Sequence, residues 1–184
     1  SMRHKHNVTM TYGNKTIKSR TSASYENTDA LYKGLNYERF SLRSRNTINF
    51  SKKWSGSLDF SFRHAIKKDP HSGSPIKAAN MYPSIYAGLY PDGRIAPGKE
   101  GSFSNTLAAW REGGKKKSEN SMATAKISLS YKPIEGLDIT ANFTPTFTYA
   151  KTKDMAKAVP VYDAYDTDLL LGYVSGYKTN SLTE

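Results

Sequence analysis

The sequence predicts an all-β fold, an antiparallel up-and-down meander that forms part of a large transmembrane β-barrel. Three observations predict it. Apolar residues recur at every second position over long runs, which is the period of a pleated strand. Short and long connections alternate between the runs, so a meander places all the short ones at one rim and all the long ones at the other. Hydrophobic residues make up only 37% of the 184 residues, with mean hydropathy −0.66. That is little for filling a core, but a sheet with one polar face against a watery lumen needs no such core.

The first strand is predicted over 6–12, with Val8, Met10 and Tyr12 opposite Asn7, Thr9 and Thr11. Gly13, Asn14 and Lys15 tolerate left-handed φ and make a short turn. The second strand, 16–26, sets Ile17, Ser19, Thr21, Ala23 and Tyr25 against Lys18, Arg20, Ser22, Ser24 and Glu26. After a polar connection over 27–35, the third strand, 37–50, sets Phe40, Leu42, Ile48 and Phe50 against Arg39, Ser41, Arg43, Arg45, Thr47 and Asn49. Ser44 and Asn46 interrupt its apolar face.

Ser51-Lys52-Lys53 is the next short turn, and the fourth strand, 54–66, carries Leu58, Phe60 and Phe62 opposite Asp59, Ser61 and Arg63. Periodicity then vanishes over 67–119, which reads as a long extracellular-type loop. So long an insertion argues against a compact soluble domain. Strands five and six, 121–132 and 137–151, form a hairpin around Pro133 and Gly136. Ala123, Ala125, Ile127, Leu129 and Tyr131 share the apolar face with Leu137, Ile139, Ala141, Phe143, Pro145, Phe147 and Tyr149. The tail, 152–184, reads as loop, with 159–165 and 169–177 as its only short strand patterns.

Pro145 tests this scheme, because it cannot donate to a ladder and an orphaned carbonyl is costly in hydrocarbon. A climb of about 2.5 Å per residue places it about 20 Å above the turn, near the top of an apolar band about 25 Å tall. Water or a bulge is expected to satisfy its neighbour there. Aromatic residues gather at both strand ends: Tyr12, Phe50, Trp54 and Tyr131 by the short turns, Tyr25, Phe40 and Tyr149 by the long ones. Such belts sit at headgroup level.

The 27 Lys and Arg against 16 Asp and Glu leave a formal charge of +11, suited to phosphate groups of nucleic acid or of lipid. The absence of cysteine removes disulfides, thiol nucleophiles and Cys-based zinc sites. No apolar run reaches the roughly 18 residues of a membrane-spanning helix, and residues 1–6 have no apolar core of a signal peptide.

Three segments, His6-Asn7-Val8-Thr9-Met10-Thr11-Tyr12-Gly13, Asn36-Tyr37-Glu38-Arg39-Phe40 and Leu129-Ser130-Tyr131-Lys132-Pro133-Ile134-Glu135-Gly136-Leu137, resemble successive barrel strands of the SusC/RagA-type TonB-dependent outer-membrane transporters. Tyr90-Pro91-Asp92-Gly93 and Asn105-Thr106-Leu107-Ala108, with Gly113-Gly114 and Asn120, resemble the loop those proteins carry between two such strands. The resemblance implies a 22-stranded barrel in the bacterial outer membrane, closed by a plug. It also implies a SusD-like surface lipoprotein as lid, TonB as the energy source, and oligosaccharide or peptide substrates. A plug and the remaining strands are absent from this sequence, so the expectation is a partial barrel domain over 1–184.

Arg43, Arg45, Asp59 and Arg63 share the polar face, as lining of a substrate path or simply as a hydrated lumen wall. Tyr82, Tyr86, Tyr90 and Trp110 in the long loop have ring faces suited to stacking on sugars, and equally to packing the loop or the lid. Lys115-Lys116-Lys117 beside Gly113-Gly114 lacks the spacing of a phosphate loop and reads as a solvated stretch or a contact for lipopolysaccharide phosphate. His4 and His6 share one strand face without a third ligand, so no metal and no cofactor is expected. His64 and His71 have no nucleophile or carboxylate at a recognisable spacing, so no enzyme is expected. The expected function is a segment of a TonB-dependent nutrient importer, acting by substrate binding and gated transport. The alternative is a soluble basic β-sheet module that binds nucleic acid or polysaccharide through tyrosines and arginines. Nucleic acid is disfavoured, because the aromatic and aliphatic residues lie on the face opposite the arginines.

Overall fold

The computed structural model describes residues 2–30, 34–71, 76, 80, 83–98, 105–166, 168–174 and 181–183. The strands among them are β1 (Arg3–Gly13), β2 (Ile17–Asp29), β3 (Asn36–Asn49), β4 (Trp54–Pro70), β5 (Gly114–Tyr131), β6 (Ile139–Phe143), β7 (Thr146–Ala156), β8 (Val159–Tyr162), β9 (Leu170–Val174) and β10 (Ser181–Thr183). A short helix, α1, spans Thr106–Glu112. The main sheet is antiparallel, with meander order β1-β2-β3-β4-β5-β7-β10 and β6 beside β5; β8 and β9 pair separately. Among the described strands this order does not return β10 to β1, so no closed barrel is seen.

The chain divides into two compact units, the first made of Ser1–Asp29, Tyr37–Ile66 and Glu119–Ala150, the second of Ala30–Asn36, Lys67–Ser118 and Lys151–Glu184. In the first unit the three short turns lie along one rim. Asn14 shapes the first, its Oδ1 accepting from the Thr16 and Ile17 amides at 2.9 and 2.7 Å. Ser51 shapes the second, its Oγ accepting from the Lys53 and Trp54 amides, each at 3.2 Å. Gly136, at φ +89°, lets the third turn close. The Asn49 amide donates to the Thr16 carbonyl and the Lys132 amide to the Lys53 carbonyl, each at 2.8 Å. Trp54 and Tyr131 stack there with ring centroids 4.1 Å apart.

Side chains sort by alternation as the sequence requires. Val8, Met10, Phe143 and Phe147 are 65, 73, 66 and 69% exposed, and Leu58, Ile127, Leu129 and Ile139 are also exposed. Among the described residues the buried hydrophobic ones, Ala96, Ala108, Val159 and Val161, all belong to the second unit. The polar interruptions on the apolar face satisfy one another: Ser19 Oγ donates to Asn46 Oδ1 at 2.6 Å, Asn46 Nδ2 to Ser44 Oγ at 3.1 Å, and Ser44 and Thr21 hydroxyls lie 3.1 Å apart. Gly56 leaves room for the Phe50 ring, whose Cε2 would stand 3.0 Å from an added Cβ.

The sixth predicted strand is divided at Pro145, and the division involves no bulge. Ile127 pairs with Phe143 and Tyr131 with Ile139, and beyond the gap the Thr124 and Thr146 hydroxyls lie 3.2 Å apart in the same register. The Ala125 amide donates to the Pro145 carbonyl at 3.1 Å; proline has no amide hydrogen to return the bond, so the ladder lapses for two residues and resumes.

The predicted loop over 67–119 and loop tail over 152–184 are corrected by further strand residues and by a helix. β4 continues to Pro70, and β5 begins at Gly114, seven residues before the predicted start at 121. These stretches hide from a periodicity argument because residues such as Lys115, Lys116, Lys117 and Ser118 put polar groups on both faces, while the backbone ladder needs no apolar alternation. Helix α1 is too short to show an amphipathic period. Its Asn105 cap, followed by Thr106, Leu107 and Ala108, was the available signal. In the tail, β7 runs to Ala156 and β10 pairs with it through Leu182↔Lys153, while β8 and β9, which pair with each other, fall within the short strand patterns expected over 159–165 and 169–177.

The second unit is organised around a buried asparagine. Asn105 Oδ1 accepts from the Ala108 amide at 3.1 Å as the cap of α1, while Nδ2 donates to the Gly88 and Ala96 carbonyls at 2.7 and 2.5 Å. Ala108, Val159 and Val161 form the core, with Ile95, Ala109 and Leu171 packed on it. Gly114, at φ +119°, is required by crowding as well as by dihedral, since a Cβ there would lie 1.9 Å from the Met155 carbonyl oxygen. Asn105→Ala is expected to destabilise this unit by about 2–3 kcal/mol, combining a lost cap with two orphaned carbonyls. Native-state hydrogen exchange checks it: the α1 and β8 amides should lose protection while those of β1 and β2 keep theirs.

Candidate functional site

The polar face of β1 to β4 gathers a dense group of arginines and lysines. β2 brings Lys18, Arg20 and Glu26 to it, and β1 sets Gly13, Thr11 and Lys5 directly opposite those three. β3 adds Arg39, Arg43 and Arg45, and β4 adds Asp59 and Arg63. Two carboxylates organise these cations into triads. Glu26, 7% exposed, takes Arg3 on one oxygen and Arg39 on the other, each at 2.6 Å. Asp59 takes Arg43 in a two-pronged pair, Nε to Oδ1 at 3.0 Å and Nη2 to Oδ2 at 2.7 Å, and Arg45 through Nε and Nη2 to Oδ2 at 3.0 and 2.8 Å. A guanidinium matches a carboxylate in this planar geometry and keeps further N–H donors for a third party.

The structure thus brings together three of the predicted residues, Arg43, Arg45 and Asp59. Arg63 stands on the same strand four residues beyond Asp59, roughly 13 Å along it, with its Nη2 3.6 Å from Met122 Sδ. Sequence reasoning missed the Arg3–Glu26–Arg39 triad. Its signal was the alternation itself, which had already placed Glu26 and Arg39 on one face. Beyond the arginines the face continues as a hydroxyl and amide ladder, with Ser128 Oγ donating to Asn142 Oδ1 at 2.7 Å and the Ser130 and Thr140 hydroxyls 2.9 Å apart.

The loop aromatics have different surroundings. Tyr82 lies outside the described residues. Tyr86 is half-buried in a turn where its amide donates to the Pro83 carbonyl at 3.2 Å. Tyr90 opens a turn through Pro91 and Asp92 to Gly93, closed by the Gly93 amide on the Tyr90 carbonyl at 2.9 Å, with Gly93 at φ +86°. The Arg94 guanidinium lies 5.3 Å from the centre of the Tyr90 ring, so one ring face is taken. Arg94 also donates to the Asp163 carbonyl at 2.9 Å. Trp110 lines a cleft of about 270 Å³ with Gly34, Pro70, Arg111, Gly114 and Lys115.

Burial, with the nearby Asp163 charge, pushes the Tyr90 phenol up. The amide of Arg94, then its guanidinium, holds the Asp92 carboxyl below the usual carboxylate range. Asp163 is lowered by the amides of Asp166 and Tyr165, which donate to its Oδ1 at 3.0 and 2.8 Å.

His64 Nδ1 lies 2.8 Å from Ser121 Oγ, and His71 Nδ1 lies 2.6 Å from Asp154 Oδ1. Neither partner stands at a spacing recognisable in the sequence, being 57 and 83 positions away, and only the fold brings them near. Each pair holds only two members of a hydrolytic triad, and among the described residues no carboxylate completes the first. His4 and His6 face Asn27 and Tyr25 across β1 and β2. No group of three metal-ligating side chains lies among the described residues. No protein-family model matches this chain, and no curated protein matches it.

Asp59→Ala is expected to leave two guanidiniums side by side and to cost about 1 kcal/mol in low salt, with the loss shrinking as added salt screens them. Denaturant titrations at two ionic strengths check this. Asp163 also has a pH consequence. Because folding lowers its pKa, its contribution is present above the ordinary carboxylate range near pH 4 and is lost as pH falls through the depressed folded value. The Tyr165 and Asp166 amides should therefore stay protected from exchange at pH 6 and lose protection toward pH 2.

Proposed function

We propose that this chain is a section of the barrel wall of a TonB-dependent nutrient importer in the bacterial outer membrane, of the type the SusC/RagA resemblance implies. It acts by binding and gated passage of an oligosaccharide or peptide, without covalent chemistry or cofactor. A SusD-like lipoprotein over the long-loop end and TonB at the opposite side of the membrane are the partners in this reading. The observation that carries it is the exposure of the large apolar side chains of one face, Val8, Met10, Leu58, Ile127, Phe143 and Phe147 among them, while the arginine triads occupy the other. A continuous apolar surface of that extent is unstable in water and is matched by hydrocarbon. The shared rim of short turns, with Tyr12, Phe50, Trp54 and Tyr131 beside it, supports the same reading. The self-satisfied cluster Ser19, Thr21, Ser44 and Asn46 supports it too, since paired polar groups are tolerated in lipid where lone ones are not. The soluble nucleic-acid module leaves that apolar face without a covering.

Two adjacent substitutions test the reading. Val8→Arg places a charge on the apolar face and is expected to cost about 2–4 kcal/mol of membrane insertion, while Thr9→Arg, on the polar face, is expected to cost almost nothing. Flotation with phosphatidylcholine vesicles after refolding from denaturant measures both. Equal flotation of the two variants, or a wild-type chain that stays monomeric in the aqueous fraction without detergent, sinks the proposal.

A further inference from the structure

We infer that the polar face carries a binding site for an oxyanion at the short-turn end of β1, β2 and β3, built from Lys18, Arg20 and Arg45. The three cations line one cleft of about 450 Å³, together with Thr11, Asn14 and Thr47. No carboxylate lines it. Lys18 and Arg20 are two residues apart on β2, so they project from the same face about 7 Å apart along the strand. Their partners across β1 are Gly13 and Thr11. A hydrogen in place of a side chain at Gly13 keeps the cleft open beside Lys18, whose Cγ would touch an added Cβ at 3.6 Å. Neither Lys18 nor Arg20 has a carboxylate partner among the described residues. Arg45 is held in place by Asp59 through two of its N–H groups, and a guanidinium has five. The Arg43–Asp59–Arg45 triad as a whole remains positive by one charge.

Like charges gathered on neighbouring strands repel, and a sheet face gains nothing in stability from them. Three cations lining one open cleft with two threonine hydroxyls offer what a carboxylate, sulfate or phosphate ester needs: charge-assisted N–H donors and neutral donors beside them. The cleft lies on the face proposed as the solute path, and the inference rests on that reading to the extent that the anion belongs to the transported solute. The importer then favours acidic solutes, holding their oxyanion groups near the exit side of the wall.

Inorganic sulfate is the first probe, titrated calorimetrically into the intact chain in zwitterionic detergent micelles at low ionic strength. Saturable binding is expected, weakened at least tenfold in the double variant Lys18→Gln/Arg20→Gln. Lys52→Gln/Lys53→Gln removes the same charge at a neighbouring turn and should change the affinity less than twofold. Competition by a sulfated disaccharide or by a glutamate-rich peptide identifies which solute class carries the anion, and either result supports the site provided that a neutral disaccharide does not compete. Absence of saturable sulfate binding, equal loss in the two double variants, or competition by the neutral sugar overturns it. Failure here leaves vesicle flotation untouched, and failure of flotation leaves sulfate binding measurable, so the two proposals fail separately.

Discussion

Constancy of strand register is the constraint on which the rest of this structure depends. The β1–β2 pairing runs from Arg3↔Thr28 to Gly13↔Lys18 without a slip, and the hairpin of β5 with β6 and β7 keeps its register past Pro145. One residue of slip would turn every apolar side chain of a strand to the opposite face. Because none occurs in these pairs, an alternation that is merely local in sequence becomes a property of a whole surface. Arginines from two strands, β1 and β3, then meet two carboxylates, and apolar residues of β1 to β7 share one face.

Polar groups on the apolar face show how strictly that sorting is kept. Ser44 and Asn46 look like errors in a linear reading of β3, yet both are answered from β2 by Thr21 and Ser19. The four form one hydrogen-bonded cluster, so few of their polar groups are left without a partner. Trp54 over Tyr131 and Phe50 over Gly56 show the same economy for rings: the bulky group is placed where the neighbouring strand offers a flat partner or a gap.

The second unit follows a different logic. It lacks long alternation, and its order comes from a small core of Ala108, Val159 and Val161 and from side chains that tie loops through their backbones. Asn105 joins a helix cap to two carbonyls, and Arg94 joins its own turn to the Asp163 carbonyl. Such ties fix Tyr90 by covering one face of its ring, so this aromatic residue of the loop serves first as part of the loop's own packing.

The sequence by itself determined the antiparallel meander, the two faces of each long strand, the common rim of short turns and the shared placement of Arg43, Arg45 and Asp59. Period two is a local property, and every residue reports its own face. It did not reveal β4 beyond Ile66, the start of β5 at Gly114, helix α1, or the partners of His64, His71 and Glu26. Where both faces of a strand are wet the ladder leaves no periodic trace, and a hydrogen bond between residues tens of positions apart depends on register. Only the tertiary structure decides register, because backbone pairing is indifferent to side-chain identity until neighbouring strands are laid side by side.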